Sequence, residues 1–126
     1  MFWWDEVKEE IIGTITGLLE PGRVIIVDQT DRENLGWYIG KSLPQYINRP
    51  VVMVSFAQEE FDRKRIGRLI VNSCENSIVI FYNLEVLKVE EKEFLANVLN
   101  SWDFEGNKLP ENLSFILVNS IPGIFS

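Results

Sequence analysis

Four short stretches rich in apolar residues punctuate the chain: Arg23–Asp28, Val51–Phe56, Ser77–Leu87 with its run Ile78–Phe81, and Leu113–Val118. Runs of this length, rich in β-branched residues, read as strands buried on both faces, as in parallel sheets flanked by helices. Between them the apolar positions change to helical spacing. Phe2 to Glu20 places Trp4, Val7, Ile11, Ile15 and Leu18 on one stripe, and Leu35, Ile39 and Leu43 form a second. Glu59 to Ser73 buries Phe61, Ile66, Leu69 and Ile70; Val89 to Trp102 turns Phe94, Leu95, Val98, Leu99 and Trp102 inward. Pro21-Gly22 and Asn48-Arg49-Pro50 are stop signals, Thr30 and Glu33 match a capping box, and Asp103 to Asn112 reads as a polar loop with a Gly106-Asn107 turn.

The alternation α-β-α-β-α-β-α-β predicts one α/β domain over residues 1–126. Its expected form is a three-layer αβα sandwich with a mainly parallel four-stranded sheet and right-handed crossovers. In such sheets ligands bind just beyond the carboxyl ends of the strands. At the third run that end carries Tyr82, Asn83 and Glu85.

Composition narrows the chemistry. The 126 residues contain no histidine, which removes the commonest general base and zinc ligand. A net charge of −7 opposes nucleic acid at long range. A single cysteine, Cys74, precludes an internal disulfide. No apolar run approaches the ~20 residues of a membrane span, and the N-terminus does not read as a signal peptide, so the expectation is a cytoplasmic protein away from the membrane.

From about Asp5 to Asn119 the chain resembles a P-loop ATPase core of the AAA+ type. DEVKEEIIGTITGLLEPGRVIIVD is similar to the leading helix and first strand, and NRPVVMVSF to the second strand. IVIFYNLEVL resembles the Walker B strand, and LPENLSFILVNS the fourth strand with its sensor asparagine. The resemblance implies the strand order first, fourth, third, second, and assigns a nucleotide-sensing position to Asn119. The family's fifth strand and helical lid have no counterpart.

The catalytic positions depart from that pattern. A phosphate loop uses glycines so that backbone N–H groups can wrap phosphates, plus a lysine and a Ser/Thr. Residues 28–34, DQTDREN, contain no glycine or lysine and present three carboxylates. Like charges ~4 Å apart cost about 4 kcal/mol at an effective dielectric near 20, which argues against a nucleotide there. The magnesium acid aligns with Tyr82 and the water-activating glutamate with Asn83. The segment Gly36-Trp37-Tyr38-Ile39-Gly40-Lys41-Ser42 imitates a Walker A motif with one residue too few between its glycines, inside a predicted helix.

Three sets of residues remain as candidates. Asp28, Asp31, Glu33 and Glu85 could converge at the carboxyl edge on magnesium or manganese and support phosphoryl transfer or nuclease chemistry; the competing reading is a helix cap, a strand end and solvated acids. Arg63, Lys64, Arg65 and Arg68 could meet phosphate or simply form a solvated helix face. Phe2, Trp3, Trp4, Trp37 and Tyr38 exceed what one face of each helix can turn inward, which points to a protein partner or self-association; burial in the chain's own core is the alternative. The Gly13/Gly17 face would suit such a contact. The leading expectation is a non-catalytic, pseudo-ATPase-like domain that needs no cofactor and acts through protein contacts, possible as a dimer. A metal-dependent enzyme at the acidic edge is the runner-up, and nucleotide binding through Asn119 without hydrolysis the third.

Overall fold

The computed structural model describes residues 3–27, 35–57 and 60–118. In chain order the elements are α1 (Trp3–Leu18), β1 (Val24–Val27), α2 (Leu35–Ser42) with a 3₁₀ turn at Leu43–Gln45, β2 (Val51–Ser55), α3 (Arg63–Val71) and β3 (Ile78–Tyr82). A 3₁₀ turn at Leu84–Val86 then leads to α4 (Val89–Ser101), a short hairpin of β4 (Asp103–Phe104) and β5 (Asn107–Lys108), and β6 (Ser114–Val118).

The four apolar runs form one parallel sheet in the order β1-β6-β3-β2, so β6, the fourth long strand, lies between the first and third. This is the α/β class and the strand order expected from the sequence. Because successive side chains point to opposite faces, each run feeds two cores. Ile25, Ile78, Ile80, Ile116 and Val118 pack under Ile12 and Ile15 of α1 and Ile39 of α2. Val79, Phe81, Phe115 and Leu117 pack under Ile66 and Ile70 of α3 and Leu95, Val98 and Leu99 of α4. Both central strands, β3 and β6, are inaccessible along their apolar residues. At ~1.5–3 kcal/mol for each large apolar side chain fully buried, these two strands supply a substantial share of the favourable side of folding.

Two glycines set helix–sheet distances. A Cβ on Gly40 would collide with the Met53 side chain of β2, and one on Gly67 would enter the Phe104 ring. Gly40 belongs to the Walker A look-alike, and α2 spans that segment from Leu35 on, so this glycine serves close packing in a helix. Gly13 and Gly17, by contrast, face open space on α1.

Several boundaries differ from the sequence reading. Expected from Glu59, α3 starts at Arg63, because the Asp62 carboxylate caps it by accepting from the Lys64 N–H at 3.0 Å and the Arg65 N–H at 3.2 Å. Phe61, expected within that helix, precedes the cap and packs against Phe56 and Phe94, each with ring centroids 5.8 Å away. The expected loop 103–112 contains the β4–β5 hairpin, whose turn residues Glu105 (φ 50°) and Gly106 (φ 84°) lie one position earlier than the Gly106-Asn107 turn. Positive φ at both central residues matches the right-handed twist of paired strands, and the Asp103 carboxylate fixes the turn by accepting from the Gly106 N–H at 2.9 Å. The expected Thr30–Glu33 capping box lies outside the described residues.

The amino ends of the strands are tied by one side chain. Arg49 donates to the carbonyls of Asn76 (2.7 Å), Ser77 (3.4 Å) and Asn112 (2.9 Å) and to Ser114 Oγ (3.0 Å). Ser114 Oγ in turn donates to the Glu20 carbonyl at 2.9 Å. Burial pushes the guanidinium below its ordinary value. It stays charged, because arginine does not lose its proton in proteins. Four oxygen acceptors offset the water it has lost.

Candidate functional site

Strand direction places the carboxyl ends of β1, β6, β3 and β2 along one rim of the sheet. Asp28, Asp31 and Glu33, which follow β1 in sequence, and Asn119, which follows β6, lie outside the described residues. Phe2 also lies outside them, as do the side chains of Trp3 and Trp4. The described part of the rim is built by the turns after β2 and β3.

Past β3, the chain reverses at Asn83, which has left-handed backbone angles (φ 59°, ψ 40°). Asparagine tolerates that region better than most residues. Its Nδ2 donates to Ser55 Oγ at 2.8 Å, joining the carboxyl ends of β3 and β2. Tyr82, at the position that resembles the magnesium acid, is half-buried and packs against the α1/α2-side core. Asn83 therefore spends its amide on a joint between strands. Its neighbour Glu85 stands exposed in the 3₁₀ turn.

An open cleft of about 470 Å³ lies between the two turns, lined by Phe56, Glu60, Phe61, Leu87, Lys88 and Glu91 among others. Its charges are mixed. Glu91 Oε1 accepts the Lys88 N–H at 2.8 Å, so this carboxylate caps α4. Among the described residues no group of three or more Cys, Asp or Glu side chains is placed to hold a metal ion. Glu85 thus belongs to no such group, and Asp28, Asp31 and Glu33 lie outside the described residues.

The aromatic candidates separate. Trp37 is 51% exposed on α2, with the Lys41 ammonium 5.8 Å from its ring centroid. Tyr38 is half-buried against the core beneath α1 and α2. Tyr46, which follows the 3₁₀ turn after α2, is 60% exposed. Arg63, Lys64, Arg65 and Arg68 all lie on the exposed face of α3, and the Arg63 guanidinium sits 5.3 Å from the centroid of the Phe94 ring. Among the described residues, no helix is long and apolar enough to cross a membrane.

Sequence pattern passed over one residue. Lys92 of α4 is 2% exposed. Flanked by Glu91 and Glu93 it reads as solvent-facing, yet it shares an i, i+4, i+7 line with buried Ala96 and Leu99, which is the signal that could have found it.

No protein-family model matches the chain, and no curated protein matches it. Among solved structures it is similar to a mutant of RuvB from Thermotoga maritima, with a TM-score of 0.56 and 10% sequence identity. That likeness covers 97% of this chain but 40% of the RuvB chain, so this sequence spans about two-fifths of its structural neighbour. RuvB is an AAA+ ATPase, and at this identity the likeness speaks for architecture alone. A mainly parallel four-stranded sheet, helices on both faces and this neighbour together give the chain a P-loop NTPase-like α/β fold.

Proposed function

We propose that this chain is a non-catalytic domain on an AAA+-type scaffold and acts through protein contacts. The observation that carries this reading is the end of β3. Where the resemblance calls for a magnesium acid and a water-activating glutamate, the chain has Tyr82 packed on the core and Asn83 bound to Ser55. A tyrosine is a poor ligand for a hard divalent cation, and an amide cannot accept the proton of an attacking water. The loop DQTDREN adds carboxylates where phosphates would require backbone N–H groups and a lysine.

Contact through the α1/α2 layer is supported by its apolar exposure. Leu18, Trp37 and Tyr46 all present large side chains to solvent on this side, and Gly13 and Gly17 leave α1 bare along one strip. Tryptophan and tyrosine are the residues most enriched at interface hot spots. Light scattering on the purified chain tests the self-association form of this reading. A mass above that of the monomer, reduced by Trp37→Ser or by Trp3→Ser with Trp4→Ser, is expected. A monomeric wild type, or a mass indifferent to these substitutions, would exclude a homo-oligomer built on these aromatics.

A further inference from the structure

One side of the sheet ends on an unused hydrogen-bond ladder. In the order β1-β6-β3-β2, β2 pairs with β3 alone, and among the described residues no strand lies on its far side. Two bonds to β3 fix which groups are open: the Ile78 N–H donates to the Pro50 carbonyl at 2.8 Å, and the Phe56 N–H to the Tyr82 carbonyl at 3.3 Å. Backbone groups alternate sides along a strand, so Pro50, Val52, Val54 and Phe56 face β3. Val51 and Met53, both half-buried, therefore turn their N–H and C=O groups outward, as does the more enclosed Ser55. Natural edges are blunted by a charge, a proline or a bulge. Residues Val51–Ser55 contain none of these, and their register with β3 is unbroken.

The flanking helices decide what can lie along this edge. On α2, Gly40 lies against Met53, while Ile39 and Leu43 face the core. At about 100° per residue, Trp37 falls on the Gly40 flank but further from the core, with Lys41 beside it. That ring is 51% exposed, with the Lys41 ammonium over it. On α3, Gly67 lies against Phe104 and so marks the flank toward α4. Leu69 and Arg65 fall on the opposite flank, toward the open side of β2, and Arg68 lies next to them on the outer surface. Leu69 packs in the same core as Val52 of β2. Among the described residues neither Lys41 nor Arg68 forms an ion pair. Asp62, the acid that precedes α3, is committed to capping it.

We infer that the β2 edge accepts an extended peptide segment of a partner protein, with acidic side chains toward α3 and apolar ones toward Trp37. Backbone bonds to Val51 and Met53 supply affinity, and the two unlike flanks supply specificity for alternating side chains. A second copy of this chain is a poorer occupant. Antiparallel pairing of β2 with itself about a two-fold axis keeps both α3 helices on one face, so their arginines would meet across the junction. The inference rests on the reading of this chain as a protein-contact domain, and adds the partner's chemistry and its manner of binding.

Fluorescence anisotropy with a labelled Val-Glu-Val-Glu-Val-Glu-Val peptide tests it, beside alternating Val-Lys and Gly-Glu peptides of the same length. The valine–glutamate peptide should saturate and bind about tenfold more tightly than either control. Lys41→Glu combined with Arg68→Glu reverses exposed charge beside the edge and should weaken binding by about tenfold. Amide hydrogen exchange supplies a readout that charge attraction alone would not move. The Val51 and Met53 N–H groups should exchange fast in the free chain and slow on binding, whereas those of Val52 and Val54 are protected from the start. No saturation with the wild type, equal binding of the lysine or glycine peptide, or binding without protection at Val51 and Met53 overturns the inference. Protection of these two amides that rises with protein concentration in the free chain assigns the edge to a second copy, and also overturns it. A peptide that does not bind, while solution mass still falls in Trp37→Ser, sinks this inference alone and leaves the contact reading in place.

Discussion

The two ends of the sheet are built differently. At the amino ends, Arg49 binds four oxygens from the segments around residues 76, 77, 112 and 114, and Ser114 passes the connection on to Glu20. At the carboxyl ends, one hydrogen bond from Asn83 to Ser55 joins β3 to β2, an open cleft separates the neighbouring turns, and Val86 and Val89 stand exposed. One end is closed by a polar network whose members satisfy each other; the other offers apolar surface, a left-handed turn and a buried lysine. Polar bonding is concentrated at the amino end. The rim, on which α/β sheets place their ligands, keeps a looser construction.

That contrast can be broken by substitution. The largest effect is expected for Arg49→Ala, which leaves the part-buried carbonyls of Ser77 and Asn112 and the Ser114 hydroxyl without this donor. Hydrogen bonds to a charged group contribute about 1.5–3 kcal/mol each in favourable cases and are not additive within a network, so a loss of about 3–4 kcal/mol in urea denaturation is the expected outcome. A loss below about 1 kcal/mol would show that the amino-end network matters little. Gly67→Ala comes next. Its Cβ meets the Phe104 ring, and overpacking of this kind costs about 1–3 kcal/mol unless the β4–β5 hairpin shifts away, which loss of near-ultraviolet circular dichroism would report.

Asn83→Ala should be milder, about 1–2 kcal/mol, from one hydrogen bond and the cost of left-handed backbone angles for alanine. Asn83→Gly relieves the backbone while losing the same bond, so it should be the less damaging of the two. The reverse order would contradict the joint described here. Trp37→Ser is the smallest for folding, within about 0.5 kcal/mol, since the ring is largely in solvent and its cation–π contact with Lys41 is exposed. Its effect belongs to solution mass.

Much of the architecture was readable from residues alone because the strands are buried on both faces. A run such as Ile78-Val79-Ile80-Phe81 has no polar side to orient, so its pattern marks a central parallel strand directly. Helix ends were harder. Asp62 captures two backbone N–H groups and moves the start of α3 four residues past Glu59, a decision made by one hydrogen-bond geometry that hydrophobic periodicity does not encode. The β4–β5 hairpin escaped because its strands have two residues each, too short for any alternation to register. Arg49 read as a turn residue beside Pro50, since its acceptors lie 27 to 65 positions away and only folding brings them together. The acids Asp28, Asp31 and Glu33 and the sensor-like Asn119 lie outside the described residues.

The claim that this rim carries no ATP chemistry is tested most directly by phosphate release from ATP with magnesium or manganese, at protein concentrations high enough to reveal slow turnover. The account predicts a rate equal to that of buffer for the wild type and for Asp28→Asn and Glu85→Gln. Release that saturates with ATP, requires the divalent cation and disappears in Asp28→Asn would contradict it and establish the acidic rim as a catalytic site.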